Sequence, residues 1–384
     1  MSNPALFDPF PPWVPTEILF GFGAAKRLPS ALRPHGSTPF VVTGGKSARA
    51  MGYLDRIRFW FPDAVVFEGV VENPGTRLCD QAAALAREAG CDVVVAVGGG
   101  SPMDVAKAVA GLTLNPGLCQ DFFGADSFTR GCLPIVAIPT TAGSGSEVTP
   151  YAVIVDDENR TKRTISGNAL FPAAALIDPE MTLSLPRSTT LATGLDALSQ
   201  AMEGMVSKKA VPEHAPSALE SIRLVRQFLP TAADNPEDRD ARAAMMRAAT
   251  LSGMIIAHSG TTLVHGMGYP LTLECGIPHG LANALLLGPV FRFNATYVPE
   301  SIRSIAVALG VEDGEPAESV VHGIHTLLHE LAVSPAARDH GFQAHQIGPF
   351  SHGISSEPYR FRNQVGDTTE DRINRFYSEA FEGI

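Results

Sequence analysis

Residues 93–107 read VVVAVGGGSPMDVAK, a run of β-branched residues that enters three consecutive glycines and leaves them in a helical pattern. An apolar run without alternation is the mark of a strand covered on both faces. Gly98, Gly99 and Gly100 let backbone N–H groups approach a pyrophosphate, and the start of the next helix adds partial positive charge. Ser101 is expected as the N-cap of that helix and Pro102 as its first residue. Strand–glycine–helix turns also occur without a ligand, so the capped triple glycine carries the phosphate reading.

The same alternation extends outward. Strand-like runs at Pro39–Thr43 (PFVVT), 64–67, 92–97 and 134–138 are separated by helical patterns such as 76–89 and 102–112. Strands and helices in turn predict an α/β domain with a parallel, Rossmann-like sheet. A second loop, residues 138–149 (IPTTAGSGSEVT), also follows a strand. The hydroxyls of Thr140, Thr141, Ser144 and Thr149 suit ribose, adenine or an amide. Two such loops on adjacent strand ends make the crevice in which open α/β sheets bind dinucleotides.

After Pro186 the pattern changes to helices at about 190–206, 215–229, 236–257, 281–294, 299–309, 315–332 and 367–381. The expected domains are therefore 1–186, α/β and dinucleotide-binding, and 187–384, all-helical. In the helical half, Asp196 and Gln200 are four apart and share a helix face. His265 and His279 are separated by Gly266, Gly268 and Pro270, which let the chain fold back and aim both imidazoles at one point. One carboxylate and two imidazoles suit a divalent ion such as zinc or iron.

Composition excludes several classes. With 384 residues, 45% hydrophobic and only 18% charged, the chain reads as a well-packed two-domain enzyme. A net charge of −11 argues against nucleic-acid and anionic-membrane partners. No apolar window is long enough for a spanning helix, and the first residues carry no leader pattern. Five scattered cysteines without C-x-x-C spacing read as free thiols, and the expected location is the cytoplasm.

The segments GGGSPMDVAK, IPTTAGSGSEVT, TGLDALSQAMEG and the later H…PHG, in this order and spacing, resemble the iron-containing (group III) alcohol dehydrogenase family. The resemblance implies that family's dehydroquinate synthase-like two-domain fold, a nicotinamide cofactor and a divalent metal (Fe2+ or Zn2+) in the helical domain. It also implies a homodimer or larger assembly. Carried over by position, it assigns Gly98, Gly99, Gly100, Ser101 and Asp104 to the pyrophosphate loop. Thr140, Thr141, Ser144 and Thr149 fall where the family contacts the nicotinamide half and adenosine, and Lys162 matches a lysine that reaches the nicotinamide ribose. Asp196, His265 and His279 match metal ligands.

Two positions depart from the family. Gln200 replaces a ligand histidine, and Tyr269 replaces a histidine that assists proton transfer. A neutral amide oxygen is a weaker and harder donor than imidazole. Three arrangements remain open: a metal held with Gln200, a metal rescued by a histidine such as His258, and a site without metal. His258 lies seven residues before His265, a spacing that would share its helix face. Tyr269 and His258 are the candidates for proton transfer.

Where NAD-preferring relatives carry an acid after the Pro39–Thr43 strand, this chain has Gly44-Gly45-Lys46-Ser47. With no carboxylate to repel a 2′-phosphate, and with Lys46 and Ser47 to bind it, the reading favours NADP(H), with NAD(H) as the alternative. The resemblance is nearest to the branch that reduces phosphonoacetaldehyde to 2-hydroxyethylphosphonate, with Arg360 and Arg362 as anchors for the anionic head. A generic short-chain aldehyde reductase, a metal-independent enzyme like maleylacetate reductase and a non-catalytic nucleotide-binding relative are the other readings.

Overall fold

The computed structural model describes residues 4–44 and 46–384, apart from the side chains of Pro4, Lys46, Ser47 and Arg360. Contacts divide the chain into two compact units, one ending at Leu185 and the other running Pro186–Ile384.

The first unit contains β1 (Glu17–Phe20), α1 (Leu28–Leu32), β2 (Pro39–Thr43), α2 (Lys46–Ala50), α3 (Tyr53–Trp60), β3 (Val65–Phe67), α4 (Thr76–Glu88), β4 (Val93–Gly98) and α5 (Gly100–Leu114). It continues through β5 (Gly124–Ala125), β6 (Ile135–Pro139), β7 (Tyr151–Asp156), β8 (Thr161–Ser166) and β9 (Ala174–Ile177). Six of these strands form one parallel sheet in the order β1-β9-β6-β4-β2-β3. Its central residues alternate between two cores. Phe40, Val42, Val94 and Ala96 face one helical layer, while Val41, Val93, Val95 and Val97 face the other. Burial on both faces is why the strand sequences show no polar alternation.

The chain leaves β2 towards β3 on one side and leaves β4 towards β6 on the other. The carboxyl ends of β2 and β4 are therefore a topological switch point, where open sheets bind ligands. A second, three-stranded sheet in the order β5-β8-β7 contains an antiparallel hairpin that the sequence reading did not anticipate. Its β8, residues TKRTIS, is mostly polar, so it lacks the apolar run used to find the other strands.

The second unit contains α6 (Arg187–Val206), α7 (Ala215–Asp234), α8 (Arg239–Ser259), α9 (Leu263–Cys275), α10 (His279–Asn294), α11 (Pro299–Ala308), α12 (Pro316–Glu330), α13 (Ile347–Ser355) and α14 (Glu370–Glu382). No strand occurs among its described residues. Among the described residues no helix is long and apolar enough to cross a membrane, and the five cysteines are free thiols.

Two local readings are corrected. Helix α5 begins at Gly100 with Gly99 in the N-cap place, so Ser101 is not the cap and Pro102 is the third helical residue. Proline is tolerated there because the first-turn N–H groups have no intrahelical acceptor. The glycine-rich stretch around His265 is the helix α9, not a flexible fold-back. Leu263, Val264, Met267 and Leu271 bury one face of it. Gly268 packs so closely that an added Cβ would overlap the Asn283 side chain. The reversal comes afterwards, at Gly276 with φ +71°, which ends α9 in the left-handed conformation.

Candidate active site

In the first unit the loops after β4 and β6 pack directly on one another. A Cβ on Gly99 would lie 2.9 Å from Thr141 Oγ1, and one on Gly100 would lie 3.2 Å from Ser144 Oγ. Gly98 has φ +157° and faces the Pro102 ring, which a Cβ would approach to 2.5 Å. Side chains are excluded from the turn, and no side chain caps the start of α5. Its first N–H groups are thus presented to ligand oxygens.

A buried polar cluster that the sequence reading missed holds the second loop. Lys107, one turn beyond Asp104 on α5, donates to Ser146 Oγ at 2.8 Å, Thr149 Oγ1 at 3.2 Å and the Tyr151 carbonyl at 2.8 Å. Three acceptors match the three protons of an ammonium group. Burial lowers the Lys107 pKa to about 8, against the opposing pull of Asp104 and Glu147. Asp104 accepts from Ser146 Oγ at 2.8 Å and from the Val153 N–H at 3.1 Å, and burial raises its pKa. Asp104 and Thr149, read from the sequence as cofactor contacts, are engaged in holding the loop. Thr140 is buried, and its N–H donates to the Gly98 carbonyl at 2.9 Å. Thr141 and Ser144 are half-exposed, and Lys162 on β8 lies near enough to Asp104 to oppose the rise in its pKa. Gly44 is exposed beyond β2, while the expected contacts of Lys46 and Ser47 lie outside the described residues.

In the second unit Asp196, Gln200 and Glu203 lie along one buried face of α6. Helix α10 starts against that face. A Cβ on Gly280 would overlap the Ala192 carbonyl, so this glycine sets how closely His279 approaches α6. His265 Nε2 stands 3.4 Å from Asp196 Oδ1, and His279 Nε2 stands 3.9 Å from the same oxygen. One ligand atom from each of the three residues lies within 4.8 Å of the others.

Glu203, also missed from the sequence, organises this set. It is fully buried, and one of its oxygens accepts from Thr262 N–H at 2.9 Å and Thr262 Oγ at 2.6 Å. Its other oxygen pairs with His265 Nδ1. His265 donates its Nδ1–H to Glu203 and presents Nε2 to Asp196; with Nε2 deprotonated, that lone pair is free for a cation, as in a metal-ligating imidazole. Burial would lower the His265 pKa, but Glu203 and Asp196 override it and raise the value to about 10. Positive charge is therefore stabilised between these groups, and a divalent cation fits the same demand. The sequence signal for Glu203 was its place seven residues after Asp196, two turns along the same face.

Gln200 Nε2 donates to Asp196 Oδ2 at 3.2 Å, and its Oε1 faces Ser252 Oγ at 3.1 Å. Asn283 Nδ2 lies 3.3 Å from Asp196 Oδ1 and 3.4 Å from His279 Nε2. Tyr269 stacks on His279, with ring centroids 5.4 Å apart and planes 12° from parallel. His258 does not share a helix face with His265. Gly260, at φ +62°, ends α8 between them, and the His258 ring meets His214 at 4.9 Å. Among the described residues the ligand cluster is Asp196, His265 and His279, without His258. Arg362 is exposed, just after a turn at Pro358–Phe361 that packs on α9, and the Arg360 side chain lies outside the described residues. The buried Gln364 joins that segment to the bundle, its Oε1 accepting from Leu263 N–H at 3.4 Å and its Nε2 donating to Asn294 Oδ1 at 2.5 Å.

A glycine-lined switch point on a parallel sheet, and a carboxylate–imidazole cluster inside a helical bundle, define a two-domain metal-dependent oxidoreductase. The chain belongs to the iron-containing alcohol dehydrogenase family. Residues 15–179 match "Iron-containing alcohol dehydrogenase", and residues 190–381 match "Fe-containing alcohol dehydrogenase family, C-terminal". Alcohol dehydrogenase 4 of Schizosaccharomyces pombe is 33% identical over 335 residues, covering 86% of this chain and 79% of that protein. Among solved structures, 1,3-propanediol oxidoreductase superposes with a TM-score of 0.90 at 29% identity, covering 96% of this chain and 98% of the other. Sulfoacetaldehyde reductase from Bifidobacterium kashiwanohense in complex with NAD+ superposes at 0.86 with 31% identity, covering 96% and 97%. The chain is an enzyme of alcohol–aldehyde oxidoreduction.

Proposed function

We propose that this enzyme reduces a short-chain aldehyde to its alcohol with NADH or NADPH, using a divalent cation, Fe2+ or Zn2+, held by Asp196, His265 and His279. The observation that carries the reading is the convergence of these three donors with Glu203 behind His265. When bound, the cation supplies Lewis acidity to a carbonyl oxygen, and the nicotinamide supplies hydride.

The chain's own residues do the rest. Gly98, Gly99, Gly100 and the start of α5 bind the pyrophosphate, and Asp104 and Lys107 hold Ser146 and Thr149, in the same loop as Thr141 and Ser144. Lys162, Gly44, Lys46 and Ser47 are assigned to the ribose groups, the last two to a 2′-phosphate where NADP(H) is used. Glu203 keeps His265 in the tautomer that offers Nε2. Tyr269 forms a wall beside His279, and its hydroxyl is the nearest counterpart of the missing proton-transfer histidine. His258, exposed at the end of α8, is placed to exchange protons with solvent.

For the substrate, the finer reading is phosphonoacetaldehyde, reduced to 2-hydroxyethylphosphonate. The likeness to a sulfoacetaldehyde reductase supports a two-carbon aldehyde with an anionic head. The exposed Arg362 is the candidate for pairing with that head, together with Arg360. A cytoplasmic homo-oligomer belongs to the same proposal.

The test is cofactor oxidation with a panel of aldehydes, run on metal-replete and chelator-stripped enzyme with both NADH and NADPH. Full turnover after stripping sinks the cation's role. Turnover of phosphonoacetaldehyde no faster than propanal sinks the phosphonate reading and leaves the generic aldehyde reductase.

A further inference from the structure

Ser252 on α8 is fully buried, and its hydroxyl has two neighbours: the Ala249 carbonyl at 2.9 Å and the Gln200 amide at 3.1 Å. A serine has one proton. Given to the nearer Ala249 carbonyl, it leaves Oγ facing Gln200 with lone pairs, which call for an N–H and not for a second oxygen. The two amide atoms of Gln200 exchange places by a half-turn without moving the side chain, and hydrogen bonding alone decides between the two orientations. Without a cation, the N–H points to Asp196 Oδ2, 3.2 Å away. With positive charge beside Asp196 that orientation is repulsive, whereas the reverse one gives Ser252 Oγ the N–H it lacks and turns the amide oxygen towards the charge. Ser252 donates to Ala249, Gln200 Nε2 donates to Ser252, and Gln200 Oε1 faces the cation beside Asp196.

We infer that Ser252 is a positioning residue that turns Gln200 Oε1 inward, making Gln200 the fourth ligand and the residue that sets metal preference. The inference rests on the cation reading of the Asp196–His265–His279 cluster. The donor set becomes two imidazole nitrogens and two oxygens. Replacing one imidazole by an amide oxygen lowers the advantage of Zn2+ over harder ions such as Mn2+ and Fe2+.

The experiment is a direct titration of the chelator-stripped full-length protein. Mn2+ binding is followed by the electron paramagnetic resonance of the free ion, and Zn2+ binding by competition with a chromophoric chelator. In Gln200→Ala we expect Mn2+ affinity to fall about 10-fold or more. In Gln200→His the ratio of Zn2+ to Mn2+ affinity should rise by a similar factor. Ser252→Ala should weaken Mn2+ binding in the same direction, while Ser252→Thr, which keeps the hydroxyl, binds as the wild type does. Melting of each stripped variant separates misfolding from ligand loss, and if Ser252→Ala fails to fold, Ser252→Thr and the Gln200 pair decide. Unchanged Mn2+ affinity in Gln200→Ala, or an unchanged Zn2+/Mn2+ ratio in Gln200→His, overturns the ligand role. Loss in Gln200→Ala with none in Ser252→Ala overturns the orientation role alone. A wild-type protein that binds neither ion takes down the underlying cation reading as well.

Discussion

Glu203 on α6 and His265 at the start of α9 form a buried carboxylate–imidazole pair, with the Nδ1 edge of the ring against Glu203 and the Nε2 edge 3.4 Å from Asp196. The Glu203 side chain also receives the Thr262 N–H, one of the donors left open at the start of α9. One carboxylate therefore anchors a helix end and fixes a tautomer. Glu203→Gln should lower cation affinity by about 10- to 100-fold, the usual effect of losing a partner behind a ligating histidine. Metal content after dialysis, measured by mass spectrometry, checks it. Retention of full metal content would show that Glu203 serves only the helix end.

The contact between Gly280 and Ala192 leads to a second prediction. A Cβ at residue 280 overlaps the Ala192 carbonyl, a backbone atom that cannot rotate away. Gly280→Ala should push the start of α10 off α6, destabilising the protein by about 1–3 kcal/mol as overpacking does. His279 moves with α10, so kcat should fall more than an equally destabilising change elsewhere in the bundle. Loss of stability with kcat intact would refute the linkage.

Lys107 gives a pH signature. Its folded pKa, lowered by burial to about 8, lies below the ordinary value of 10.5. Between these values the unfolded chain binds more protons, so this group's contribution makes the folded state more stable as pH rises from 8 to 10.5. At about 1.4 kcal/mol per unit, the full effect is at most about 3.5 kcal/mol. Urea midpoints of wild type and Lys107→Met across this range should show the wild type gaining relative to the variant. A constant difference would mean that Lys107 titrates normally.

Tyr269 and His279 are stacked, and the two parts of the tyrosine can be separated. Tyr269→Ala removes an aromatic contact of about 0.5–1.5 kcal/mol, which should weaken cation binding roughly 2- to 10-fold. Tyr269→Phe keeps the ring and should preserve cation affinity. A fall in kcat confined to Tyr269→Phe and Tyr269→Ala alike, with cation binding intact in the former, identifies the hydroxyl as a proton donor.

Much of the architecture was legible in residues 93–107, because a strand buried on both faces must be apolar throughout and a turn that admits phosphate must lack side chains. Asp196, His265 and His279 were legible through their chemistry and spacing. Lys107 and Glu203 were not, since a lysine and a glutamate inside helical patterns look like solvated residues until their acceptors and donors are known. The β7–β8 hairpin escaped for a related reason, its second strand being polar.

The sequence alone, through apolar runs and glycines placed against them, determined a parallel sheet, a helical bundle and the residue types available for chemistry. Tertiary structure decided which polar groups meet. Gly268, read from the sequence as part of a fold-back, and Gly280 are points where helices touch without intervening side chains. That close approach brings groups 59 to 87 residues apart in the chain, Thr262 with Glu203 and Asn283 with Asp196, into hydrogen bonding. Local periodicity reaches only a few turns along a helix, so contacts of this range are invisible until the helices pack.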